Sequence, residues 1–174
     1  MEELNLDLIK NELNNIHQGM SGLLISVGPS NDNNPYKWKC SMIAPKDSLY
    51  NGGVFFLQII FPNDYPNRAP EIKFITPIYH ININHVEQPG CPLGKVYLTA
   101  LNNWNPKYRM RGILPNIYAL FYISNMEHPY GINKLNEMKN NQTLFEEKIK
   151  YFTKKYAGPE NEDTEYTRWD FSYE

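Results

Sequence analysis

The sequence has few cysteines, no long hydrophobic segment and no excess of one charge. Only two of its 174 residues are cysteine, Cys40 and Cys91, so at most one disulfide could form. In a reducing compartment we expect both as free thiols. Cys40 alternates with Trp38 and Met42 in a strand-like run, which predicts a core position for it. The two cysteines and four histidines match no metal-ligand spacing such as Cys-x-x-Cys, so we expect no metal site.

The lack of a long apolar run argues against a membrane-spanning helix. No stretch approaches the roughly 20 apolar residues that such a helix needs. The first residues, MEELNLDLIK, have neither the basic start nor the apolar centre of a signal peptide. We therefore expect no membrane association and a location inside the cell, in the cytoplasm, the nucleus or both.

The charges are nearly balanced. Lys and Arg total 17 against 19 for Asp and Glu, which gives a net charge of -2 and a pI near 6.1. This balance offers no general attraction to nucleic acid or to an acidic membrane. The aromatic residues follow no basic stripe, so they are more typical of a core than of a base-stacking surface. A protein partner fits this composition better than a nucleic acid.

The residues that are present suffice for one medium domain. The hydrophobic content of 41% and the aromatic content of 14% are enough to build a single core. We expect residues 1–157 to form that core domain. Residues 158–174 form an acidic and aromatic C-terminal tail, which could dock a partner, pack on the domain or be disordered.

The hydrophobic pattern changes from helix to strand along the first part of the chain. Helical spacing over residues 6–16 predicts an amphipathic helix that ends near Gly19. Between residues 22 and 74, short runs of Val, Ile, Phe and Tyr separated by turn residues predict a four-stranded antiparallel meander. Residues 79–104 show almost no periodicity. An irregular loop of that length is more often functional than accidental.

Two helices are predicted in the second half of the chain. Residues 110–123 form the most apolar helix, which we expect to lie across the sheet. Pro115 is tolerable within it if it falls in the first turn. Residues 144–156 form a second amphipathic helix, and the Gly-Pro pair at residues 158–159 ends it. The pattern therefore predicts an α+β domain that begins and ends with helices.

Several short motifs occur in a fixed order. They are PKDSLYNGG at residues 45–53, FPNDYP at residues 61–66, YHINI at residues 79–83 and WNP at residues 104–106. This ordered set resembles the ubiquitin-conjugating-enzyme family over roughly residues 4–156. The resemblance implies the UBC fold, with an N-terminal helix, a four-stranded antiparallel meander, a long irregular active-site loop and C-terminal helices.

The resemblance also implies a carrier chemistry that needs no cofactor. Such enzymes accept ubiquitin or a ubiquitin-like protein on a cysteine as a thioester and pass it to a lysine, usually with a ligase. The thiolate is the nucleophile, and a nearby side-chain amide supports the site. Asn82 matches the family's asparagine, and His80 matches a histidine that is mainly structural. Ile81 replaces the family's proline, which makes the turn less rigid.

Two alignments place the cysteine of the family differently. In the first, GKVYL at residues 94–98 matches Gly-x-Ile-Cys-Leu, so Tyr97 replaces the nucleophile and residues 87–93 bulge out ahead of it. A phenol with an ordinary pKa near 10 is a poor thioester carrier. In the second, Cys91 is the nucleophile and the extra residues follow it. The glycine and proline beside Cys91 differ from the apolar neighbours in the family, so we prefer the first alignment.

Other positions depart from the family in the same direction. In the family, an acidic residue in the loop after the long helix helps to deprotonate the incoming lysine. This chain has Glu127 and His128 there, and His128 matches the position of the more critical acidic residue. The first helix offers only Lys10, among acids that include Glu12, for docking an activating enzyme. Asn67 replaces an aromatic anchor of the ligase-contacting loop. The scaffold is therefore kept while the thioester machinery is reduced.

Three functions remain open, and we favour the first. It is a non-catalytic member of the family that binds ubiquitin or a ubiquitin-like protein, an active conjugating enzyme or a ubiquitin ligase. The second is an active transferase that forms a thioester on Cys91, with Asn82 in support. The third is an interaction module on the same fold with no link to ubiquitin, since fold alone does not fix function.

Overall fold

The computed structural model describes residues 2–20, 25–30, 33–161, 166 and 168–173. In chain order its elements are helix α1 (Glu2–Gly19), strands β1 (Ile25–Pro29), β2 (Lys37–Ile43), β3 (Val54–Ile60) and β4 (Glu71–Phe74), and helices α2 (Thr99–Asn102), α3 (Met110–Tyr118), α4 (Ile132–Asn140) and α5 (Gln142–Ala157). None of the helices within these ranges is both long and apolar enough to cross a membrane.

The four strands form one antiparallel sheet in the order β1-β2-β3-β4. In the register, Cys40 pairs with Val27 on one side and with Leu57 on the other. Alternate residues of a strand face the same side of a sheet, and Trp38, Cys40 and Met42 are all buried on the inner side. The predicted meander and the predicted core position of Cys40 are both confirmed.

Helix α1 is fixed to the rest of the domain by a buried carboxylate. Ile9 and Ile16 enter the core, as the helical spacing predicted. Glu12, which is 1% exposed, accepts hydrogen bonds from the hydroxyl of Tyr65 (2.7 Å) and the backbone N–H of Met110 (3.2 Å). A carboxylate buried in this way needs such partners. Glu12 thus joins α1 to the loop after β3 and to the start of α3, and it is not available on the surface of the helix.

The apolar helix after the irregular loop is shorter than predicted. Helix α3 covers Met110–Tyr118, and a 3-10 turn, Ala119–Phe121, continues it. Pro115 is the sixth residue of α3, so it lies beyond the first turn, where proline would be tolerated most easily. Because proline has no N–H, one backbone hydrogen bond of the second turn is missing. The helix still reaches the sheet, where the rings of Phe121 and Phe55 have centroids 5.2 Å apart.

The two C-terminal helices differ in how clearly the sequence signals them. Helix α5 begins at Gln142 because the side chain of Asn141 accepts a hydrogen bond from the backbone N–H of Leu144 (3.2 Å). It ends before Gly158, as predicted. Helix α4 was not predicted, since its buried residues are only Leu135 and the charged Lys134.

Residues 168–173, named here the C-terminal strap, pack on the domain. Trp169 is buried. The ring centroid of Phe171 lies 4.8 Å from that of Phe152 and 5.1 Å from that of Tyr79. Residues 168–173 of the predicted tail are therefore packed on the domain, which is one of the three states expected for it.

Candidate functional site

The segment after β4 is built around a buried histidine. His80 accepts a hydrogen bond from the backbone N–H of Asn82 at its Nδ1 atom (3.0 Å), and its Nε2 atom lies 2.9 Å from the carbonyl oxygen of Leu120. Burial lowers the pKa of His80 to about 4, so the ring is neutral at physiological pH. The neutral ring donates to Leu120 and shapes the turn that carries Asn82, which is a structural role.

Asn82 is completely buried and uses its amide to hold a loop. Its Nδ2 atom donates to the carbonyl oxygens of Asn125 (2.7 Å) and His128 (3.2 Å), and its Oδ1 atom accepts from the N–H of Asn125 (2.8 Å). Both amide hydrogens are therefore in use. Ile81, in place of the family's proline, is buried, and its carbonyl oxygen accepts a hydrogen bond from the N–H of Tyr130 (2.7 Å). The turn is thus held firmly without a proline.

Tyr97 lies directly beside Asn82. Its backbone N–H donates to the carbonyl oxygen of Asn82 (2.8 Å), and Ile83 and Val96 form an antiparallel bridge next to this bond. The half-buried ring of Tyr97 stacks on that of His128, with centroids 4.9 Å apart and an interplanar angle of 22°. The structure therefore brings together Asn82, Tyr97 and His128.

Cys91 lies in a separate hairpin that precedes Tyr97. We name residues 84–95 the insertion hairpin. At its root the N–H of Asn84 donates to the carbonyl oxygen of Lys95 (2.9 Å). At its tip Gln88 and Cys91 exchange two backbone hydrogen bonds (3.1 and 2.9 Å). Cys91 is therefore fixed to the hairpin tip, whereas the backbone of Tyr97 is paired with that of Asn82.

The side chain of Asn84 joins the two arms of the insertion hairpin. Its Nδ2 atom lies within hydrogen-bonding distance of three backbone carbonyl oxygens, at 2.7, 3.0 and 3.0 Å. These belong to Val86, Cys91 and Pro92. Asn84 belongs to none of the motifs in the sequence, although an asparagine is a common residue where a chain must turn.

The thiol of Cys91 lies beside the hydroxyl of Tyr130. Burial, together with the smaller effects of the neighbouring Cys91 and Tyr97, raises the pKa of Tyr130 to about 12. The rings of Tyr130 and Tyr97 have centroids 6.3 Å apart. Tyr130 therefore lies next to both Tyr97 and Cys91, which are the residues that the first and second alignments place at the position of the family's nucleophile. Nothing in the sequence indicated Tyr130, because its contacts come from distant parts of the chain.

We name this group the candidate site and define it by Asn82, Cys91, Tyr97, His128 and Tyr130. Glu127 and His128 are exposed at its edge. The backbone N–H of Glu127 donates to the Oδ1 atom of Asn125 (3.0 Å), which extends the hydrogen bonds that begin at Asn82. Across the described ranges, no three His, Cys, Asp or Glu side chains are grouped so that they could hold a metal ion.

The motif loops on either side of the site are also joined. The indole N–H of Trp104 donates to the carbonyl oxygen of Pro66 (2.7 Å), which connects the WNP and FPNDYP motifs. Asn67, beside this bond, is exposed. These two of the four motifs are therefore neighbours in space as well as ordered in the sequence.

Comparisons with known proteins agree with this geometry. The family model described as "Ubiquitin-conjugating enzyme" matches residues 8–153. The solved structure of the E2 domain of a Toxoplasma gondii ubiquitin conjugating enzyme is 28% identical, covers 87% of this chain and 97% of its own, and has a TM-score of 0.73. These matches confirm the predicted α+β UBC fold. The chain belongs to the ubiquitin-conjugating enzyme family.

Proposed function

We propose that this protein is a member of the family that does not carry a modifier as a thioester and acts by binding. The observation that supports this is the position of Tyr97, whose backbone pairs with that of Asn82. The first of the two alignments, which we prefer, places the family's nucleophilic cysteine at this point. A phenol stays protonated at neutral pH and is a poor nucleophile there.

The hydrogen bonds of Asn82 support the same proposal. An amide that stabilises a developing oxyanion must have a donor directed at the reacting atoms. Both hydrogens of Asn82 are directed at the backbone of Asn125 and His128 instead. Asn82 is therefore a support for the loop after α3, and the candidate site offers no amide donor from this residue.

A binding role also needs an exposed surface beside the site. Ile123 and Met126, in the loop that Asn82 holds, are 68% and 53% exposed. Exposed apolar side chains next to a polar rim are typical of protein interfaces. We propose ubiquitin or a ubiquitin-like protein as the ligand of this surface, with an active conjugating enzyme or a ubiquitin ligase as the second partner.

A second candidate function is transfer through a thioester on Cys91. The observation in its favour is that this free thiol is half-buried rather than buried and belongs to the candidate site through Tyr130. In that reaction the Cys91 thiolate attacks the carbonyl carbon of the thioester between the modifier and the activating enzyme, and the activating enzyme's thiolate leaves. A lysine amine then attacks the new Cys91 thioester, forms an amide bond with loss of a proton, and releases the Cys91 thiolate. Cys91 would act from the hairpin tip rather than from the position beside Asn82.

A charging assay distinguishes the two candidates. The protein is incubated with an activating enzyme, ATP and a panel of ubiquitin-like modifiers, and analysed on gels with and without reductant. An active conjugating enzyme is the positive control, and Cys91→Ala is run in parallel. We expect no reductant-sensitive adduct. An adduct that disappears in Cys91→Ala would replace the first proposal with the second.

A binding titration tests the remaining part of the proposal. Isotope-labelled ubiquitin and ubiquitin-like proteins are titrated with the protein, and the same is done with active conjugating enzymes. We expect saturable shifts with at least one of them. The absence of both an adduct and binding would instead favour an interaction module on this fold with no link to ubiquitin.

A further inference from the structure

The C-terminal strap touches the insertion hairpin as well as α5. The ring of Phe171 has its centroid 6.2 Å from that of His85 in the hairpin. Trp169 lines a cavity of about 210 Å³ that the hairpin also lines. The hairpin contributes Glu87, Pro92 and Leu93 to this cavity. The outer side of the hairpin therefore faces the strap.

The strap is held on the domain by both rings and a hydrogen bond. Phe171 packs on Phe152 and Tyr79, with centroid distances of 4.8 and 5.1 Å. The hydroxyl of Tyr156 donates to the carbonyl oxygen of Asp170 (2.6 Å). These contacts lie next to each other along residues 168–173, so the loss of the Phe171 ring removes the centre of the attachment.

A buried lysine lies beneath the same ring. The Nζ atom of Lys134 is 5.0 Å from the ring centroid of Phe171 and 5.0 Å from that of Tyr79. It also donates to the carbonyl oxygen of His80 (3.3 Å). Lys134 is 4% exposed, so Phe171 covers an amine that water would otherwise reach. The strap is thus connected to the turn that carries Asn82.

The hairpin has two kinds of support at different places. The hydrogen bonds of Asn84 hold its two arms together. Residues 86–90 at its tip are exposed. The strap supplies the contact on the remaining side through the ring of His85, and Leu93 faces Trp169 across the shared cavity. Cys91 follows the exposed tip in the sequence, and its thiol lies beside Tyr130.

We propose that the C-terminal strap positions the insertion hairpin and thereby sets the access to Cys91 and to the Tyr97 side of the candidate site. Phe171 and Trp169 are positioning residues that act through His85 and Leu93. The consequence for binding rests on the function proposed above, because the hairpin forms a wall of that site. A partner that displaces the strap would open this wall.

The two cysteines of the chain provide the test. Cys40 is fully buried in β2 and reports global unfolding, whereas Cys91 reports the hairpin. The full chain is treated with iodoacetamide, and mass spectrometry follows the alkylation of each cysteine with time. Phe171→Ala removes the central ring of the strap, Phe171→Leu restores an apolar side chain, and Arg168→Ala changes an exposed strap residue as the matched control.

We expect Phe171→Ala to raise the alkylation rate of Cys91 by about tenfold, because local opening of the hairpin becomes easier. Phe171→Leu should recover most of the wild-type rate, and Arg168→Ala should match wild type. An unchanged rate at Cys91 in Phe171→Ala, with Cys40 protected, would overturn the proposal. A structural role in the fold alone would affect both cysteines in parallel.

Hydrogen exchange decides the result if Phe171→Ala exposes both cysteines. Phe171→Leu is then compared with wild type at amides of residues 84–95 and of β2. Faster exchange in the hairpin with unchanged exchange in β2 supports the proposal, and equal changes in both refute it. Neither readout requires a partner. Failure of the ubiquitin-binding proposal would therefore not affect the proposal about the strap, and failure of the strap proposal would not affect the binding proposal.

Discussion

Replacement of Asn82 by alanine tests whether its amide is structural. In Asn82→Ala the loop after α3 loses both donated hydrogen bonds, to Asn125 and His128, and the bond that Oδ1 accepts. Asn82 is completely buried, so water cannot replace its side chain as a hydrogen-bond partner unless the loop rearranges. The loop should loosen around residues 124–130, and the domain should lose stability.

The size of the loss follows from the groups left without partners. A buried polar group without a partner costs about 1–3 kcal/mol. Asn125 is half-buried and His128 is exposed, so solvent recovers part of the cost of their three groups. We expect a total of about 3 kcal/mol. For a domain of this size, the melting temperature should fall by roughly 6–12 °C.

Thermal and urea unfolding measure this loss. Asn102→Ala is the matched control, because Asn102 is an exposed asparagine at the end of α2, and its change should stay within about 0.5 kcal/mol. A loss below about 1 kcal/mol in Asn82→Ala would refute the reasoning. Asn82 would then be free to offer its amide to a reaction, and the proposal of a binding role would lose one of its supports.

Three further predictions concern a glycine, a lysine and a histidine. Gly94→Ala should lower the free energy of unfolding by about 3 kcal/mol or more, because φ is +81° and an added Cβ would lie 1.9 Å from the carbonyl oxygen of Phe74. Gly90→Ala is the control, since φ is +73° but the space around it is open, and it should lower the free energy of unfolding by about 1 kcal/mol. Equal losses for the two variants in urea unfolding would contradict the steric argument. Burial lowers the pKa of Lys134 from 10.5 to about 7, so the unfolded state binds more protons and stability should rise above pH 7 by up to about 1.4 kcal/mol per pH unit. Lys134→Met should remove this slope between pH 7 and about pH 9, and identical slopes in both proteins would disprove the assignment. Burial lowers the pKa of His80 from 6.5 to about 4, so stability should fall as the pH falls through this range, and a flat profile in chemical denaturation would contradict it.

Local patterns predicted most of the fold because periodicity reports which side of an element is buried. The spacing over residues 6–16 gave α1, and the alternation around Cys40 gave its place in the core. Helix α4 was not predicted because a buried lysine interrupts its apolar side. Lys134 is accommodated by the rings of Tyr79 and Phe171 and by the carbonyl oxygen of His80. Those contacts depend on the tertiary structure and leave no periodic signal.

The site was predictable only where motifs mark it. Under the first alignment, the family resemblance implies that Tyr97 lies near Asn82, and their backbones are hydrogen-bonded. The contact between Cys91 and Tyr130 joins residues that no motif relates. The same is true of the contact between His85 and Phe171. Both contacts involve the insertion hairpin, most of which lies outside the motifs that carry the family resemblance.

The position of the hairpin connects the two candidate functions. The bridge between Ile83 and Val96 places the extra residues before Tyr97, which is why we favour the alignment that leaves the site without a thiol beside Asn82. For Cys91 to serve instead, its half-buried thiol would have to become accessible at the hairpin tip. The strap, through Phe171, opposes that opening of the hairpin. If Phe171→Ala gained a reductant-sensitive adduct that wild type lacks, and the adduct required Cys91, the strap would be an inhibitor of transfer. If it gained none, the hairpin would be a wall of a binding site.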